Sequence, residues 1–304
     1  MGAFRESRWF RLVWIVPAIL VGVFLIVLAA RGIRGLTPVQ SFMRDFPGKS
    51  ALPNGAPVGF PAWLGWQHFL NSFFILFIIR TGWQVRTTKR PPAYWTRTNT
   101  GMLRTRNPPV RIGLHLWLHL SVDILWVLNG VIFFVLIFAT GQWVRIVPTN
   151  LDIFPNAVSV AIQYASFNWP TENGWVNYNA LQTFSYFLVT FIAAPLALIT
   201  GIRMAPGLAD RFRKIDRVFP LPVARAIHYP VMLFFAAFIV VHVTLVLTTG
   251  ALRALNHMYA GRDDYSWWGV GIFALSLIVM AAAWIAVRPS ILSSLAGLTG
   301  SVRR

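Results

Sequence analysis

The sequence contains no cysteine, which excludes disulfides, thiolate-held iron–sulfur clusters and covalent haem attachment through a Cys-x-x-Cys-His motif. Acidic residues are scarce as well: 9 Asp and Glu stand against 27 Lys and Arg over 304 residues, and charged residues of both signs make up only 12%. So little charge leaves too little polar surface to coat soluble globular domains. No repeat of fixed period and no low-complexity stretch divides the chain. What is abundant is apolar, with 56% of residues hydrophobic and 15% aromatic, and the chain reads as an integral membrane protein in contact with lipid. A formal charge of +18 would suggest nucleic acid in a soluble protein. Basic residues gather at the cytoplasmic ends of membrane spans, however, and no nucleic-acid partner is needed to account for them.

A span needs about 20 apolar residues, and six runs qualify, near 12–30, 64–82, 113–139, 180–201, 228–249 and 267–287. The reading is an all-α fold, a bundle of six transmembrane helices. The first run follows Arg5, Arg8 and Arg11 as a secretory signal would, but its length to Ala30 favours an uncleaved anchor. Between the second and third runs lie Arg86, Lys89, Arg90, Arg97, Arg104, Arg106 and Arg111 with no acid, so this loop is expected in the cytoplasm. The segment 202–227 falls on the same side, with Arg203, Arg211, Arg213, Lys214, Arg217 and Arg225 against Asp210 and Asp216. The opposite side receives 141–179, where Arg145 faces Asp152 and Glu172, and the segment after Gly250, where Arg253 and Arg262 face Asp263 and Asp264. Both termini are then cytoplasmic, in a multi-pass protein of the inner (plasma) membrane. One segment dissents: 31–62 is expected outside and yet holds Arg31, Arg34, Arg44 and Lys49 against Asp45. The long outer segment 141–179, flanked by Trp143 and Trp175, is expected to lie on the membrane surface, where it could cap a pocket.

Ionisable side chains inside a span are costly and mark function unless merely tolerated. His68 falls near the outer end of the second span, His115 and His119 near the inner end of the third, and His228 and His242 toward the inner and outer parts of the fifth, while His257 falls in an outer loop. His228 and His242 are fourteen residues apart, which puts them about 40° from one face and about 21 Å apart along a helix. They cannot share a metal, but each can bind a separate haem. His68 matches the depth of His242, and His115 or His119 that of His228. Four neutral imidazoles would hold two b-type haems with both axial positions filled, an arrangement suited to electron transfer. A lone interfacial histidine is as often only an interhelical hydrogen bonder, but four matched in depth are poorly explained that way.

Asp123 lies one turn deeper than His119 and has three readings: partner to a ligand imidazole, proton relay to a quinone, or ion pair with Arg80 or Arg111. No catalytic residue is assigned beyond that relay. Gly65, Gly82, Gly113, Gly130 and Gly201 could let a flat macrocycle approach the helices, although close helix packing explains glycines equally.

Four stretches carry a family resemblance. They are Trp66-Gln67-His68-Phe69-Leu70-Asn71 ending in Thr81-Gly82; His119 to Asn129-Gly130; Tyr178 to Gln182 running on to Pro195 and Thr200-Gly201; and Arg225-Ala226-Ile227-His228 running on to Val241-His242-Val243. Over roughly residues 60–250 the chain resembles the di-haem cytochrome b subunits of membrane-bound hydrogenases, formate dehydrogenases and thiosulfate reductases, including relatives paired with sulfite-oxidase-like molybdopterin proteins. The resemblance favours His119 over His115 as ligand. It implies that His68 pairs with His242 and His119 with His228 as axial ligands of two haem b groups. Electrons would pass between a quinone pool and a peripheral molybdopterin or other redox subunit. It also implies a division into an anchor helix with outer loop (1–62), a four-helix di-haem core (63–250) and a last span with tail (251–304). The added first span turns the histidine-bearing helices over relative to the formate dehydrogenase members, so the partner's side does not carry over. The rival class is an ion or proton transporter working through Asp123 and the intramembrane histidines, for which no inverted repeat or broken-helix pair speaks.

Overall fold

A computed structural model describes residues 8–100, 104–105, 108–170, 173–207 and 213–304. Arg5, Arg106, Glu172, Asp210 and Arg211 lie outside the described residues, and Arg8, Arg11, Arg213 and Lys214 are described in backbone only. In hydrocarbon every backbone N–H and C=O must be satisfied within the protein, so long apolar runs become helices. Six helices are long and apolar enough to cross a membrane: α1 (Arg8–Gly35), α2 (Ala62–Thr87), α3 (Leu114–Ala139), α4 (Ala180–Met204), α5 (Leu221–Thr248) and α6 (Trp268–Ala286). The protein is a helical bundle of the multi-pass membrane type. Large apolar side chains such as Ile19, Phe24, Ile124, Val240 and Ile278 face outward, as a lipid-facing surface requires.

Proline shapes three of these helices. Pro17 and Pro230 lie inside α1 and α5. In α4 a π-helical stretch, Leu188–Ala193, immediately precedes the turn containing Pro195. Proline cannot donate to the carbonyl four residues earlier, and a widened turn absorbs the mismatch.

The described residues form two compact units. One joins the residues up to Val58 with Gln142–Phe187. Its helix Ile153–Ala165 buries Ile153 and Ala157 against Ala180 at the start of α4. Asn156 Oδ1 accepts from the Gly48 N–H at 2.8 Å, where Gly48 adopts φ +93°, a turn open to glycine at little cost. Arg31 and Arg34, which break the charge asymmetry, are used at the C-terminus of that helix: Arg31 Nε donates to the Ser166 carbonyl at 3.2 Å and Arg34 to Ser166 Oγ at 3.0 Å. A helix C-terminus leaves carbonyls unpartnered and carries partial negative charge, which cations satisfy. The segment 141–179 is thus folded against the first part of the chain, with Arg145 buried over the Tyr178 ring and Lys49 bridged to Asn179. Burial pushes the Tyr178 phenol up to about 12, while the Arg145 charge opposes the rise.

The other unit, Gly59–Gly141 with Leu188–Arg304, holds the α2–α3 hairpin, the α4–α5 hairpin, a π turn at Asn256–Ala260 and α6. The all-α expectation is modified here by a small sheet. Strand β1 (Tyr94–Arg97) pairs antiparallel with β2 (Ile112–Gly113) and with β3 (Gly300–Arg303). The helix Pro289–Gly297 brings the chain end to β1, and Trp95 Nε1 donates to the Ala296 carbonyl at 3.0 Å. The Arg-rich segment between α2 and α3 is therefore structured by the tail.

Arg80, inside α2, clasps the end of α6: its guanidinium donates to the carbonyls of Trp284 at 2.7 Å and Val287 at 3.3 Å and lies 4.0 Å over the Trp284 ring. Charged hydrogen bonds are worth about 1.5–3 kcal/mol each, less where partly exposed. Arg80→Met is expected to destabilise the detergent-solubilised protein by about 1–3 kcal/mol, read as a lowered unfolding midpoint; an unchanged midpoint would show the clasp to be idle.

Candidate functional site

The fourteen-residue spacing of α5 places His228 near its start and His242 near its end. The structure brings a different histidine to each. The rings of His119 and His228 lie with centroids 6.5 Å apart at 78°, and those of His68 and His242 6.3 Å apart at 53°.

The His119–His228 pair is held by two copies of one device. Thr81 Oγ1 donates to the Phe77 carbonyl at 2.6 Å, and Thr200 Oγ1 donates to the Leu196 carbonyl at 2.5 Å. This bond back to the preceding turn is a frequent resort of threonine in helices. With its proton so committed, each hydroxyl can only accept, and it accepts from Nδ1–H of a facing histidine: His119 at 2.9 Å from Thr81 and His228 at 2.8 Å from Thr200. That arrangement calls for the proton on Nδ1 of both rings, with the Nε2 lone pair open. Thr81 and Thr200 are fully buried. The glycine after Thr81 lies close to its imidazole, where a Cβ would stand a tight 3.2 Å from Cε1 of His119, whereas a Cβ at Gly201 would make ordinary contact, 3.5 Å from Cε1 of His228.

The His68–His242 pair is built differently. His242 stacks on Phe238, centroids 5.5 Å apart and 7° from parallel, while the edge-on ring of Tyr259 stands 5.7 Å from His68. His68 Nδ1 is buried without a hydrogen-bond partner, as are Trp63 Nε1 and Gln67 Oε1 within the two preceding turns. Tyr259 was not legible in the sequence, because it reaches His68 through the π turn at 256–260. That turn lies against α2 because position 65 is glycine: a Cβ there would meet the Met258 carbonyl oxygen at 2.6 Å. Burial raises the Tyr259 phenol above its ordinary range.

The remaining residues divide as follows. Asp123 Oδ2 is 3.7 Å from His119 Nε2, within ion-contact range but too far for a hydrogen bond. The ion pair of Asp123 with Arg80 or Arg111 is not formed: Arg80 turns to the end of α6, and Arg111 lies 4.1 Å over the Tyr94 ring. His115 does not face His228, and its Nδ1 is buried without a partner. His257 is buried outside the spans, hydrogen-bonded to Asp263 at 2.8 Å and stacked on Phe60. Of the other glycines, Gly113 admits the Pro91 ring, whereas nothing lies within 4 Å of a Cβ at Gly130.

Two imidazoles sharing one metal from opposite sides would have centroids about 6.2 Å apart, given a metal–nitrogen bond of about 2 Å and a further 1.1 Å or so to each ring centre. Both observed separations match that span. Among the described residues no group of three or more His, Cys, Asp or Glu could hold a metal ion. Gly65→Ala should push the 256–260 turn, and Tyr259 with it, away from His68 at about 1–3 kcal/mol of lost stability. Gly130→Ala, which meets open space, should be neutral or slightly stabilising; equal unfolding midpoints for the two variants would refute the close approach. Comparison with protein-family models, with curated proteins and with solved structures found no match to this chain.

Proposed function

We propose that the chain is a membrane cytochrome b subunit that binds two b haems, one between His119 and His228 and one between His68 and His242, and passes electrons between a quinone pool and a redox partner subunit of molybdopterin or similar type. The observation that carries this reading is the pairing of four imidazoles at two depths of one helix, each pair separated as a single axial metal requires. Bound there, haem would supply a one-electron couple at each depth. The chain's own part is to hold the rings. Thr81 and Thr200 hold Nδ1 of His119 and His228 and so leave Nε2 of each ring for a ligand role, and Phe238 and Tyr259 pack on His242 and His68. Asp123, beside His119 Nε2, is the acid placed to take or give a proton where quinone chemistry needs one.

A reduced-minus-oxidised spectrum with haemochrome quantitation tests this directly. Two haem b per chain are expected, falling to one in His68→Ala or His119→Ala and staying at two in His115→Ala. A haem-free preparation with full quinone activity would sink the reading, and a haem-free protein without it would favour ion or proton movement through Asp123 and His119.

The basic segments between α2 and α3 and between α4 and α5 support a cytoplasmic side for both termini. Because the chain lacks cysteine, single cysteines at exposed positions report this cleanly. In intact cells an impermeant maleimide is expected to label Asn150→Cys and spare Lys89→Cys; the reverse pattern would invert the topology.

A further inference from the structure

Hydroxyl groups bonded to a preceding carbonyl are common in these helices, as Ser72, Thr87, Ser121, Thr140 and Thr248 show. Thr81 and Thr200 differ in that each also receives an imidazole N–H from the facing helix, forming a chain from ring nitrogen to hydroxyl to backbone carbonyl. Such chains polarise along their length, the more so away from water. A hydrogen bond drawn from Nδ1–H makes the opposite nitrogen a stronger donor to a metal, and hydrogen bonding around the axial ligand is one of the levers on haem potential. A stronger nitrogen donor favours the oxidised, more positive iron. The other pair lacks this feature at His68, whose Nδ1 has no acceptor.

Building on the two-haem reading, we propose that Thr81 and Thr200 are positioning residues that lock His119 and His228 in the Nδ1–H tautomer and make the centre between them the lower-potential of the two. The two centres are thereby ordered in energy, by two hydroxyls that touch neither the metal nor a substrate.

The test uses the full chain purified in detergent, with Thr81→Val and Thr200→Val as variants of equal shape and Thr81→Ser as the variant that keeps the hydroxyl. A potentiometric titration followed at the haem absorbance is expected to resolve two components. In either Val variant the lower one should move up while the upper one stays, and Thr81→Ser should restore the parent curve. 15N spectra of histidine-labelled protein give a second readout that does not need haem: the Nδ1–H signal of His119, assigned by its loss in His119→Gln, should be altered in Thr81→Val. Two haems with potentials unmoved in both Val variants would overturn the proposal and leave the two-haem reading standing. A protein without haem whose His119 tautomer follows Thr81 would remove the haem reading and the ordering of potentials, and retain only the lock.

Discussion

A polar group inside a bilayer that finds no partner within the protein finds none at all. Some polar side chains in the spans of this chain, such as Ser72 and Ser121, meet that constraint by bonding back to their own helix; others bridge two helices. Asn71 of α2 accepts from the Trp126 indole of α3 at 2.7 Å, Arg80 of α2 saturates the last carbonyls of α6, and Thr81 and Thr200 each tie a histidine to the helix opposite. These contacts do for helix association what the hydrophobic effect does in water, because lipid tails are as apolar as the side chains they would be exchanged for. The same constraint gives weight to the exceptions. Trp63 Nε1, Gln67 Oε1 and His68 Nδ1 are buried without partners within two turns of α2, at the end of the bundle where His68 meets His242.

The six spans were legible because a run of apolar residues long enough to cross hydrocarbon has few other uses. Their ends were less so. The fifth helix begins at Leu221, behind Pro220, with Pro222 in its first turn, and not at His228; proline suits a helix start, but Arg225 so close by hides it from a hydropathy reading. The sheet was invisible, since β2 is two residues long and β3 comes from the far end of the chain. Charge counting also gave no hint of what Arg31 and Arg34 do. A rule that counts charges by side does not see that a helix C-terminus calls for cations.

At the candidate site, depth arithmetic on α5 matched His68 to His242 and left His115 or His119 for His228, because helical rise converts spacing into position almost without tertiary information. The residues that hold those rings were harder to see. Thr81-Gly82 and Thr200-Gly201 look unremarkable one at a time, yet both precede the end of the first helix of a hairpin and both receive a histidine from near the start of the second. No fixed period betrays this likeness, because Thr81 precedes His119 by 38 residues and Thr200 precedes His228 by 28. The difference lies in the loops. The segment between α2 and α3 carries two strands of the sheet and the one between α4 and α5 a short helix, Arg213–Val218. Loop lengths vary freely where packing does not restrain them, so the motif persists in space while its register in sequence is lost.

One helix contributes a histidine to both pairs, while the opposing rings come from two others, His68 from α2 and His119 from α3. The separation of the two centres is thus set by the rise of α5, about 21 Å over fourteen residues, and not by how two independently packed elements settle. Pro230, two residues beyond His228, removes one backbone bond from that ruler. The Thr200 bond holds the His228 ring from outside the helix. Electron passage between two fixed sites depends on their spacing far more than on motion. A fold that places one histidine of each pair on a single helix, and anchors the near one from the neighbouring helix, suits the proposed electron transfer better than it suits a transporter, whose site must open alternately to the two sides.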